Sequence, residues 1–120
     1  MTSMTGSRFF AKAMQAYGTT HIFLVPTILT PALSEMEEME IVRITAHSEK
    51  AAVYMADGYA RISHRPGICM SQTIGAANMA AALRDPFLAC SPVIAITGGR
   101  FAETKYRHVY QEIEDFPLFE

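Results

Sequence analysis

One carboxylate in this sequence stands where it could carry out acid–base chemistry. Glu49 opens the stretch HSEKAAVYMADGYAR, His47 to Arg61, and the turns that follow it are mostly small and apolar. A first-turn glutamate is common in helices, because it meets the positive end of the helix dipole for about 0.3–1 kcal/mol. A carboxylate at a helix mouth can also face a bound cofactor. On the local sequence both readings stand. His47 could line the same site, although a loop histidine is more often solvated. His21, His64 and His108 have no constellation around them.

The elements that must position Glu49 follow from the hydrophobic pattern. Ser7 is expected to cap a helix running to about Tyr17, with Phe9, Phe10, Ala13 and Met14 as its apolar stripe and Gly18 as its stop. HIFLV before Pro26 reads as a buried strand, and TPALSEME as a helix with Pro31 in its first turn. EIVRITA reads as a second strand. The helix headed by Glu49 ends near Ile62, before the breaker cluster SHRPG. GICMS is a third strand. GAANMAAALRDPFLACS is a further helix with a break expected at Pro86, and PVIAITGG is the clearest strand of all. Beyond Arg100 the pattern dissolves into loop and at most a short helix.

Strands and helices therefore alternate. That order predicts an α/β domain with a parallel, doubly wound sheet and helices on both faces. Ligands bind such sheets outside the carboxyl ends of the strands. Those ends are Val25 to Thr27, Thr45 to Glu49, Ser71 to Gly75, and Thr97 to Arg100. A four-stranded sheet leaves a long edge strand to be covered. Either a partner covers it, or the sequence is a piece of a longer protein.

Bulk composition narrows the classes. The 120 residues are 50% hydrophobic and 18% charged with net charge −2, apolar for one small domain, which suggests surfaces meant for a partner. Lys and Arg are scattered, which argues against nucleic-acid and membrane-surface partners. Cys69 and Cys90 make no disulfide framework, and no histidine lies at zinc-ligand spacing from either. The N-terminus lacks the pattern of a secretory signal, and no window approaches the roughly 20 apolar residues of a membrane span. The expected location is the cytoplasm.

Three stretches together carry a resemblance. EKAAVYMADGYAR, GAANMAAALRDPFLACSPVIAITG and YQEIED closely resemble the pyrimidine-binding, N-terminal domain of thiamine-diphosphate-dependent enzymes, acetolactate synthase-like branch. The match runs in order from about Arg8 to Asp115. The resemblance implies a truncated form of that fold, residues 1–120 forming a single, incomplete pyrimidine-binding domain without a diphosphate-binding domain. It implies that Glu49 is catalytic, hydrogen-bonding the cofactor's aminopyrimidine ring and so promoting removal of the thiazolium proton. Such a role suits a carboxyl group held in a desolvated place.

The same resemblance implies cofactor-binding roles for Pro26, Gly75 and Asn78, with Gly75 allowing close backbone approach and Asn78 bracing the following helix. Thr27, Ser71, Gln72 and Gln111 become substrate-pocket candidates. Three features depart from the family pattern. Thr27 follows Pro26 where glycine is usual, SQTIGAAN replaces the commoner Ser-Gly-Pro-Gly-Ala-Thr-Asn, and Ser71 stands where some decarboxylases of the group place a catalytic histidine.

Family members hold the diphosphate and its magnesium ion through a Gly-Asp-Gly motif, and this sequence has none. Magnesium is therefore expected only through a diphosphate-binding domain of the same or another chain, and this chain alone is expected to be inactive. Some relatives also carry FAD, for which no residue here argues. The implied whole is a lyase or carboligase acting on a 2-oxo acid or related acyl donor, assembled as a homo-oligomer, typically a dimer. The alternatives are the small subunit of a split decarboxylase and a non-catalytic assembly remnant of the fold.

Overall fold

Short apolar runs flanked by helices can be covered on both faces, and the two most completely buried of them take the middle of the sheet. The computed structural model describes residues 3–26, 29–99, 101–104 and 106–120. Its strands are β1 (His21–Leu24), β2 (Val42–Thr45), β3 (Gly67–Gln72) and β4 (Val93–Gly98). They form one parallel sheet in the order β2-β1-β3-β4. The helices are α1 (Gly6–Ala16), α2 (Thr30–Glu37), α3 (Glu49–Ser63) and α4 (Ala76–Leu88). No helix among the described residues is long and apolar enough to cross a membrane.

The path through the sheet reverses after β2, so β1 and β3 are neighbours that lie on either side of a topological switch. Crossovers travelling in opposite directions place their helices on opposite faces. Packing follows suit. On one face Ile22, Leu24, Ile68 and Met70 meet Ala11 of α1 and Leu33 and Met36 of α2. On the other, Phe23 and Cys69 meet Ala52, Val53 and Ala56 of α3 and Met79 and Ala82 of α4. Burial pushes the Cys69 thiol up to about 12. The small side chains of α3 let it lie close on the sheet. Gly67 completes that contact: a Cβ there would stand 2.0 Å from the Ala56 carbonyl oxygen.

Two helix boundaries differ from the sequence expectation. Thr5, not Ser7, caps α1. Thr5 is extended and its Oγ1 accepts from the Arg8 amide at 3.2 Å, which leaves Ser7 inside the first turn. Pro86 does not break α4, which continues to Leu88. Proline removes one donor, but this ring is buried and lies in the last turn. The chain there remains tied, because Asp85 accepts from the Ala89 amide and Pro86 from the Ser91 amide. PVIAITGG does form a strand, but an edge one, with Ile94 47% exposed.

Asp57, inside the ADGYAR run, is a buried carboxylate in α3. Arg61 grips it with Nε and a terminal nitrogen, both at 2.9 Å. The Arg61 hydrogen bond, helped by one from Ser91, holds the Asp57 carboxyl below its ordinary range against the opposing effect of burial. A carboxyl depressed in the folded state adds stability above its unfolded pKa and loses it as pH falls. Asp57→Asn is therefore expected to lower the melting temperature near neutral pH. The deficit should shrink on acidification and vanish once the wild-type carboxylate is protonated. Thermal melts of both proteins between neutral and strongly acidic pH test this.

Candidate functional site at the carboxyl ends of the strands

Leu24, Thr45 and Met70 lie side by side in register across β1, β2 and β3. The segments that follow them form one rim. The Ala46 amide reaches the Leu24 carbonyl at 2.8 Å, and the Val25 amide the Met70 carbonyl at 3.3 Å. Pro26 is exposed on this rim after β1. Thr27 lies outside the described residues.

After β2, Ser48 takes an extended conformation and caps α3 through Oγ, which accepts from the Ala51 amide at 3.2 Å. The cap fixes Glu49 as the first helical residue, and its side chain is half-buried. After β3, a 3-10 turn over Thr73–Gly75 leads straight into α4. Asn78, in the first turn of α4, donates from Nδ2 to Glu49 Oε2 at 3.0 Å. Gly75 lies under the same carboxylate. A Cβ on Gly75 would sit 2.7 Å from Oε1, 2.8 Å from Cγ and 3.0 Å from Cδ. Since β1 lies between β2 and β3, these contacts join segments that leave the sheet on either side of it. Among the described residues, Oε1 receives no hydrogen bond.

Gly75 thus gives close approach, as expected, but to the glutamate side chain. Asn78 braces Glu49 across 29 residues of sequence rather than its own helix. The first turns of α3 and α4 both present amide donors to this region, where negative charge is favoured. His47 is exposed beside the site.

The remaining candidates divide. Ser71 is 1% exposed, with its hydroxyl 3.0 Å from the Gln72 carbonyl and 2.8 Å from Met79 Sδ. That hydroxyl is committed to the interior. Gln72 is also buried, and its Nε2 donates to the Gln111 carbonyl at 3.4 Å. Thr73 Oγ1 donates to the same carbonyl at 3.2 Å. Gln111 therefore reaches the rim through its backbone, in a left-handed conformation with φ 62°, while its side-chain amide turns to the Tyr110 hydroxyl at 3.3 Å. A second tie fixes this tail, since Thr97 at the end of β4 donates to buried Asp115.

Neither Thr73 nor Asp115 stood out in the sequence. Asp115 could have been found as the last residue of YQEIED, the stretch after β4 that carries part of the resemblance. His21 also has partners that the sequence did not reveal. Thr20 Oγ1 lies 2.9 Å from its Nδ1 and 2.7 Å from the Tyr59 hydroxyl, and the His21 and Tyr59 rings meet at 5.3 Å. This cluster belongs to the opposite end of the sheet.

A doubly wound parallel sheet with a cradled carboxylate at its carboxyl rim defines a ligand-binding α/β domain. Residues 4–118 match the family model described as thiamine pyrophosphate enzyme, N-terminal TPP binding domain. The chain is 33% identical over 118 residues to a probable acetolactate synthase large subunit of Methanocaldococcus jannaschii, covering 97% of this chain and 20% of that protein. It is 30% identical over 119 residues to sulfoacetaldehyde acetyltransferase of Castellaniella defragrans, covering 98% and 20%. A thiamine diphosphate-dependent 4-hydroxybenzoylformate decarboxylase of Rhodococcus jostii shares the fold. Its TM-score is 0.88 at 23% identity, over 98% of this chain and 23% of that one. The chain belongs to the thiamine pyrophosphate enzymes, as an acetolactate synthase-like pyrimidine-binding domain. It spans about a fifth of the length of the curated relatives it matches.

Proposed function

We propose that this chain is the N-terminal, pyrimidine-binding part of a thiamine-diphosphate-dependent lyase or carboligase acting on a 2-oxo acid or related acyl donor. One observation carries the reading. The Glu49 carboxylate is held at the rim through Oε2 while Oε1 stays open to a further donor. That arrangement fits a group that must share a proton with a ring nitrogen of the cofactor.

When bound, thiamine diphosphate supplies the electron sink for making or breaking a bond beside a carbonyl. This chain supplies position and proton handling. Glu49 accepts the hydrogen bond at the aminopyrimidine ring and fixes its protonation there, a general acid–base role. Pro26, exposed after β1, edges the ring's approach. Gln72 and Gln111, joined through the Gln111 carbonyl, close the side where substrate enters. The diphosphate and its magnesium ion fall to a domain bearing Gly-Asp-Gly, in the same or another chain, within a homo-oligomer.

The test is calorimetric titration of the protein carrying this domain, in full length, with thiamine diphosphate and magnesium, followed by assay against a panel of 2-oxo acids. Saturable binding and cofactor-dependent decarboxylation or ligation are expected. A full-length protein that binds no thiamine diphosphate would overturn the reading.

A further inference from the structure

We infer that Asn78 is a positioning residue for Glu49: its amide selects which carboxylate oxygen faces the cofactor. This deepens the function proposed above and rests on it. A glutamate at the mouth of a helix has several rotatable bonds and, half-buried, could swing to water. Two features on α4 and the turn before it prevent this. Gly75 lacks the Cβ that would collide with Oε1, Cγ and Cδ, so the carboxylate can lie down against the chain. Asn78 then ties Oε2 at 3.0 Å, which fixes the rotation of the carboxylate plane.

The amide must present its nitrogen, because its oxygen would repel the carboxylate. What remains is Oε1, which lies against Gly75 and receives no hydrogen bond among the described residues. Asn78 itself is exposed, and among the described residues its side-chain amide donates to Glu49 alone. It therefore acts through the glutamate rather than on the cofactor.

The experiment uses the full-length protein with Asn78→Ala, Asn78→Asp and, as control, Glu49→Gln. Alanine favours the helix more than asparagine does, so Asn78→Ala should not lower the melting temperature. Its exchange rate for the thiazolium proton, read by NMR after quenching, is expected to fall about 10- to 100-fold, the scale of a small misplacement of a reacting group. Cofactor affinity should be nearly unchanged. Crystals of the cofactor-free variant should show the Glu49 carboxylate rotated or moved off Gly75. Asn78→Asp keeps the size, removes the donor and adds a like charge, so its exchange should fall at least as far.

Wild-type exchange in both Asn78 variants, with Glu49 unmoved and Glu49→Gln inactive in exchange, would overturn this inference and leave the proposed function standing. Undiminished exchange in Glu49→Gln would overturn both.

Discussion

Glu49→Gln, in the full-length protein, is expected to abolish most exchange of the thiazolium proton while leaving the fold and cofactor binding intact. Glutamine keeps the shape of the side chain, and its carbonyl oxygen can still accept from Asn78 Nδ2, now 3.0 Å from Oε2. The room over Gly75 is unaltered. The loss is confined to charge and proton affinity, so the amide cannot share a proton with a ring nitrogen. General acid–base catalysis contributes about 10²- to 10⁴-fold, and a loss on that scale corresponds to about 3–5 kcal/mol of barrier. Stability should change far less, because a first-turn carboxylate adds only about 0.3–1 kcal/mol through the helix dipole. NMR exchange and a thermal melt on the same preparation separate the two effects. Unchanged exchange would leave Glu49 as a helix-end charge and nothing more.

The largest effect on stability is expected from Gly67→Ala. The added Cβ would stand 2.0 Å from the Ala56 carbonyl oxygen, 2.6 Å from its carbonyl carbon and 3.1 Å from its Cα. These are backbone atoms in the interior of α3, so no rotamer change relieves the clash. Either α3 lifts from β3 or the start of β3 leaves the sheet. Overpacking of cores costs about 1–3 kcal/mol and sometimes more, and a collision with helix backbone belongs at or beyond the upper end. Against a total stability of roughly 5–15 kcal/mol, that is a large fraction. Urea unfolding should show a much lower midpoint. Gly58→Ala is the matched control. Gly58 is exposed on α3 with open space around it, and alanine there should stabilise the helix by about 0.5–1 kcal/mol. Equal midpoints for Gly67→Ala and wild type would mean that α3 does not bear on β3 in this way.

The fold was readable because its signals are local. Short strand-like runs alternate with amphipathic helices, which specifies a parallel α/β sheet, and Gly18, at φ 72°, stops α1 where expected. Boundaries were lost where two nearby residues could play the same part. Thr5 and Ser7 both suit a cap, and backbone angles decide between them. Pro86 misled because proline is disfavoured by the bond it removes, and near a helix end there is little left to remove.

The candidate site divides differently. Glu49 was singled out from the family pattern and from its place after a strand. Its partners were not, since the Asn78 bond spans 29 residues and depends on how α3 and α4 cross. Gln111 shows a deeper limit: the side chain suggested a role, yet the backbone carbonyl is what meets Gln72 and Thr73. Any residue type offers a carbonyl, so sequence carries no mark of it. Gly67 was read as the end of a breaker cluster and the start of a strand. Its use lies in what it does not place against Ala56.

The seam between α3 and α4 is filled by Ala52, Ala56, Met79 and Ala82. Glu49 stands on one of these helices, while the residues that cradle it belong to the other and to the turn before it. The location of the Glu49 carboxylate is therefore a difference between two helix positions, and an error in either appears there undiminished. A close-packed interior passes such errors on rather than absorbing them. Enlarging one alanine of the seam is therefore expected to displace the Glu49 carboxylate relative to Gly75 and Asn78.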